Sequence, residues 1–122
     1  MATLLVNTGK AIVTNYLAGG AATQPKYVAW GTGAGTTAAT DTTLFTETGT
    51  RTSGTSTQQT TSVTNDTYQV VGTMTAGGTL AITNAGLFDA STVGNLFVKG
   101  DFSTINLSSG DSIQFTIKTQ FS

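Results

Sequence analysis

The chain contains no cysteine and no histidine, one proline, and only five Lys/Arg against six Asp/Glu in 122 residues. Each shortage excludes chemistry. Without thiols there is no disulfide, thiolate nucleophile or zinc–thiolate site, and without imidazole there is no histidine base or histidine-ligated metal. A formal net charge of −1 with scattered cations leaves no electrostatic footprint for nucleic acid or an anionic membrane. Charged residues make up 9% of the chain, against the usual quarter, so neutral polar groups must cover the surface. Those groups are largely hydroxyls, since 28 residues are threonine. Few ionised groups and a net charge near zero also give weak protection against self-association. The length fits one domain spanning residues 1–122, able to bury about two-thirds of its unfolded surface.

The N-terminal segment lacks the basic stretch and long apolar run of a secretory signal, and its apolar run covers only Leu4 to Val6. No stretch approaches the roughly 18 apolar residues of a spanning helix. Synthesis in the cytoplasm is therefore expected, and the glycosylation-like triplets at Asn65 and Asn106 are read as chance.

One helix is expected, over residues 8–18. Ala11, Ile12, Tyr16 and Leu17 form its apolar stripe, Asn7 or Thr8 is the expected cap, and Gly19 with Gly20 is the expected stop. Residues 1–7 are read as either an N-terminal arm or a first strand. Elsewhere the period is two. Tyr68, Val70, Gly72, Met74 and Ala76 alternate with polar or smaller residues, Leu96, Val98, Gly100 and Phe102 form a second inward row, and Ile113, Phe115 and Ile117 a third. Lys99 and Lys118 then point outward. Gly77–Gly78 sits where a two-residue hairpin loop belongs. The threonine-rich tract 48–63 has the apolar content of a disordered segment, but threonine's branched Cβ suits a pleated strand. Short strands between regular turn signals predict a mainly β protein, an antiparallel β-sandwich or jelly roll with one short N-terminal helix.

Three constellations invite a chemical reading. Gly31, Gly33 and Gly35 resemble a phosphate-cradling loop, yet the dinucleotide fingerprint needs a glycine where Thr36 stands and a helix behind it, and neither is present. Glu47 is the sole glutamate, and the aspartates stand beside turn residues, where Asp bonds its own backbone, so a carboxylate pair for glycoside hydrolysis is not expected. Trp30, Tyr27, Tyr16 and Tyr68 offer aromatic surface for a carbohydrate-binding module, but no cluster of sugar-bonding side chains flanks Trp30, which reads as core or subunit contact.

From Pro25 to Gly33, through Ala39 to Glu47 and Arg51, again from Ile82 to Asp89, and finally across Phe102, Leu107 and Gly110 to Thr116, the chain resembles small virion proteins of tailed bacteriophages. The family looks like capsid decoration (cement) proteins, with relatives of similar pattern among tail-fibre and other virion components. The resemblance implies a non-enzymatic structural protein, without cofactor or metal, made in the bacterial host cytoplasm. It implies a place on the outer capsid surface of the virion. It also implies two partners, the major capsid protein and further copies of the chain in a dimer or trimer, and no nucleic acid or membrane. Its alternative is a tail-associated or fibre component, and a carbohydrate-binding module is the reading from another class. For contact with capsid or sister subunits the candidates are Thr3, Leu4, Leu5 and Val6 of the N-terminal segment, the loops around 31–43 and 47–57, and the residues Trp30, Leu44, Phe45 and Arg51.

Overall fold

A computed structural model describes residues 3–122; Met1 and Ala2, the start of the segment expected as arm or strand, lie outside the described residues. In chain order the elements are β1 (Thr3–Leu5), α1 (Asn7–Leu17), β2 (Tyr27–Gly31), β3 (Glu47–Ser53), β4 (Thr55–Gln59), β5 (Thr67–Thr75), β6 (Leu80–Phe88), β7 (Leu96–Leu107) and β8 (Ser112–Gln120). The strands form two antiparallel sheets, β1-β7-β6-β2-β3 and β4-β5-β8. The result is the mainly β, sandwich-like fold with one N-terminal helix that the alternation predicts.

The helix covers the expected residues to within one position, but its start differs from expectation. Val6 is the capping residue and no side chain caps it. Asn7 instead donates its backbone N–H to Ala39 O at 2.8 Å, and the Thr8 hydroxyl bonds Leu96 O at 2.6 Å. The Thr8 hydroxyl that suits a local cap is thus engaged, with the Asn7 amide, in docking the helix. At the other end Gly19 takes a positive φ of 79°, and the amides of Gly19 and Gly20 return to the carbonyls of Tyr16 and Asn15, the stop that a left-handed glycine provides.

The two sheets meet at a core of Val28, Trp30, Val70, Met74, Ile82, Leu87 and Val98, extended by Ile12 of the helix and Phe97 of β7. Each such side chain contributes roughly 1.5–3 kcal/mol on full burial. Edge-to-face rings join the layers: Trp30 of β2 meets Phe115 of β8 at 6.3 Å, and Phe97 of β7 meets Tyr68 of β5 at 5.8 Å. The chain passes from the first sheet to the second at Gly54, between β3 and β4, where a Cβ would stand 2.5 Å from Val70 Cγ1. Only glycine lets the strand turn that corner against the core.

Gly77–Gly78 does not close a hairpin. β5 pairs with β4 and β8, whereas β6 pairs with β2 and β7, so the diglycine carries the chain between sheets. Ala76 N–H donates to Asp111 O, and Gly110 N–H donates to Ala76 O, each at 2.8 Å. This clamps the crossing to the β7–β8 turn, which crosses between the sheets at the same end. Alternation marks which face of each strand is apolar, and both crossings satisfy it, so periodicity alone does not choose the partner strand.

The five-stranded sheet is covered on both faces. A second cluster, Val6, Ala29, Leu44, Phe88 and Leu96, lies beneath the long β2–β3 connection, residues 32–46. That cover explains why β6 reads as a run of five buried residues from Asn84 to Phe88, and why Lys99, expected outward, is only 1% exposed.

Candidate interaction surface

Most of the charged side chains, and several hydrogen-bonding ones, are spent on holding loops. The glycine-rich stretch from Gly31 to Gly35 packs against Phe45: a Cβ on Gly33 would lie 2.9 Å from Phe45 C, and one on Gly35 2.6 Å from its ring. These glycines make room for an aromatic ring, not for a phosphate. The loop is fastened from β6 and β7. The buried Asn84 side chain accepts from Phe45 N–H at 3.0 Å and donates to Phe45 O at 3.1 Å, presenting to the loop the pair of bonds a neighbouring strand would. The Thr83 hydroxyl donates to Gly33 O, and an Asp101 carboxylate oxygen accepts from Thr37 N–H at 2.7 Å.

Lys99 completes the anchor. Its Nζ lies 2.9 Å from Asp41 Oδ2 and 2.9 Å from Thr43 O, with the Phe45 ring centroid 3.3 Å away. An ammonium removed from water is tolerable because a carboxylate, a carbonyl and a π face replace its hydration. On the Asp41 side, the Ala38 amide first and then Lys99 hold the carboxyl below its usual range.

The remaining carboxylates have similar duties. Asp66 accepts backbone N–H from Thr61, Ser62 and Val63, and these bonds, that of Val63 foremost, hold its pKa far below an ordinary aspartate's. Asp89 accepts from Asn95 N–H at 2.6 Å and Asp111 from Ser108 N–H at 2.8 Å. Glu47 is engaged bidentately by Arg51, at 2.8 and 3.1 Å. Among the described residues no group of three or more Asp, Glu, His or Cys is placed to hold a metal.

The sequence candidates for contact separate by burial. Val6, Trp30 and Leu44 are 0%, 2% and 4% exposed, so their side chains belong to the protein's own interior. Trp30 therefore offers no ring face for a sugar to stack on. Arg51 turns inward too: its guanidinium lies 3.6 Å from the Phe88 ring centroid, and Nη1 donates to Ala90 O and Val93 O, capping the β6–β7 loop. Phe45 is half-buried between Lys99 and the loop glycines. Thr3, Leu4 and Leu5 form the edge strand β1, paired with Gly100, Lys99 and Val98; Thr3 and Leu4 are exposed and Leu5 is half-buried.

Apart from single exposed residues such as Val63 and Val93, the apolar surface gathers in two places, at residues the alternation and the helix stripe assign to the interior. Leu17, Tyr16 and Phe121 stand 82%, 46% and 46% exposed around a groove of about 520 Å³ between α1, Pro25, Tyr68 and the C-terminal residues. On the opposite side of the three-stranded sheet from β4 lies β8, a nine-residue edge strand with β5 as its only partner in the sheet. Its apolar row, Ile113, Phe115 and Ile117, is only half-buried. A cleft of about 300 Å³ separates Ile117 and Lys118 from Thr3, Val98 and Phe102 of the facing sheet. The signal for β8 was present as the most regular alternation in the chain; its position at an edge was not.

With catalytic groupings dismantled residue by residue, what the surface offers is neutral strand edge, hydroxyls and two apolar strips. Residues 5–120 match the family model described as Podophage GP4 fiber I protein gp80. The chain belongs to this family. It is thus a non-enzymatic structural protein of the phage virion, associated with its fibres. The resemblance to tailed-phage virion proteins holds at that level, but the match favours the fibre alternative over capsid decoration. No curated protein and no solved structure matches the chain.

Proposed function

We propose that this member of the fibre family is a building unit of the fibre, working by self-association and by contact with other virion proteins. The observation that carries the reading is the family match across residues 5–120. The physical character of the surface supports it. A repeated subunit gains stability by multiplying a modest interface over many copies, and a shell of hydroxyls with little net charge lets copies approach without repulsion. On this reading the partners are further copies of the chain and neighbouring virion proteins, with no cofactor, nucleic acid or membrane involved.

Gold-labelled antibody against the protein, applied to intact particles, tests the location. Label confined to fibres, with copies per particle in proportion to the number of fibres, is the expected result. Label spread over the head, with copies in proportion to the capsid subunits, would overturn the fibre reading and restore the major capsid protein as the partner.

A further inference from the structure

We infer that the β8 edge is the surface through which two copies of this chain join, the strands pairing antiparallel across a two-fold axis at Thr116 to make one six-stranded sheet. The inference rests on the reading of the protein as a self-associating building unit and locates its interface.

Four observations lead to β8. First, an edge strand presents a row of unpaired N–H and C=O groups, and soluble proteins usually blunt such edges with proline, bulges, inward charges or brevity. β8 has none of these, and of the edge lysines that serve the same end it has one, Lys118: it runs nine residues in unbroken register with β5, from Ser112 opposite Thr75 to Gln120 opposite Thr67. The other free edges are shorter. β1 has three residues and β4 five, while β3 has a shifted register against β2 and spends Arg51 on a neighbouring loop.

Second, the inward row Ile113, Phe115 and Ile117 is left half-covered by the protomer's own core. Adding a strand beyond β8 covers apolar surface as well as satisfying backbone groups, the combination that strand addition uses for affinity and specificity.

Third, the outward row is neutral apart from one lysine: Ser112, Gln114, Thr116, Lys118 and Gln120. That row neither repels a second copy nor calls for a charged partner.

Fourth, the strand is self-complementary. With Thr116 opposite its own counterpart, Gln114 faces the partner's Lys118, Phe115 faces the partner's Ile117, and Ile113 faces the partner's Thr119. The apolar cross-strand pair recurs on both sides of the axis, and the two lysines never meet. An isologous interface requires this property of its patch.

The same register makes the inference testable on the exposed face, where substitution leaves the core untouched. Gln114→Lys sets a lysine against the partner's Lys118 twice per interface. From the cost of like charges directly opposed across strands, the dimer should weaken by roughly ten-fold. Gln114→Glu sets up two opposite-charge pairs and should tighten it by a similar factor. The double variant Gln114→Lys with Lys118→Glu should restore association.

Sedimentation velocity on the full chain over a concentration series, with circular dichroism to verify the fold, reads these four proteins and Leu17→Asp. A monomeric parent at the highest soluble concentration overturns the inference. So does association that ignores both Gln114 variants, or one abolished by Leu17→Asp instead, which would place the contact at the α1 groove. Should Gln114→Lys fail to fold, the tightening by Gln114→Glu decides. Antibody label on the head would refute the fibre reading without touching these results, and insensitivity to Gln114 would refute the β8 interface without moving the label.

Discussion

At the scale of single residues, the polar side chains do more structural work than their small number suggests. Asn84 is fully buried and both ends of its amide are occupied by the backbone of Phe45. Asn84→Ala removes both bonds to Phe45 and a third to the Thr83 hydroxyl, and it leaves the Phe45 N–H without a partner while Phe45 O keeps the Gly33 amide, a loss of about 3 kcal/mol. Chemical denaturation should show it, while Gln114→Ala on the exposed face of β8 stays within about 0.5 kcal/mol of the parent. Tyr68 gives a pH-dependent counterpart. Burial pushes its phenol up to about 12, and its hydroxyl donates to Pro25 O at 2.8 Å. Because the folded-state value lies above the unfolded one, the unfolded chain loses its proton first. The contribution is therefore intact below about pH 10 and is lost as pH climbs toward about 12. Denaturation midpoints measured across that window should fall more steeply for the parent than for Tyr68→Phe, which starts lower by the missing hydrogen bond. Equal slopes would show that Tyr68 is not the group responsible.

Elements show where sequence reading succeeds and where it stops. The alternating rows of β5 and β8 and the glycine stop of α1 depend on near neighbours in the chain, and they were legible. Lys99 and the Gly77–Gly78 crossing depend on what covers a strand and which strand lies beside it, and local alternation carries neither. Gly9 combines both levels. In sequence it looks like a flaw in the first turn of a helix, since alanine is favoured there by about 1 kcal/mol. In the fold it is the point where α1 touches β7, and a Cβ would stand 2.0 Å from Phe97 O. Relieving that clash means moving the helix off the sheet, and overpacking of this kind costs about 1–3 kcal/mol. Gly9→Ala should thus lower the thermal midpoint despite its better helix propensity; a raised midpoint would mean that α1 is not held against β7 as described. The contact candidates follow the same division. Trp30, Leu44 and Arg51 are large or charged residues near loops, and the structure uses them to fill and fasten those loops. Leu17 belongs to the expected apolar stripe and Phe121 continues the alternation of β8, yet they stand where the chain leaves the helix and the strand, and the structure leaves both exposed.

For the molecule as a whole, the low charge acquires a structural explanation. Five cations and six anions are mostly committed to loops: Lys99 to Asp41, Arg51 to Glu47, and Asp66, Asp89 and Asp111 to turn amides. The remaining surface is largely hydroxyl and amide. Association through such a surface draws on backbone hydrogen bonds and apolar cover, which salt screens little. Raising the ionic strength should accordingly leave the sedimentation profile of the parent nearly unchanged, whereas the tightened Gln114→Glu dimer should loosen. A parent dimer that dissolves in salt would point to charge pairing elsewhere on the molecule.

The central claim is that this small sandwich builds fibre by joining copies of itself. Electron cryomicroscopy of the intact virion tests it most directly, at a resolution that traces individual strands. The account predicts density for this chain in the fibres, in pairs whose two β8 strands are hydrogen-bonded to each other across a two-fold axis. Density for the chain on the capsid lattice, or fibre copies whose β8 edges face solvent, would contradict it.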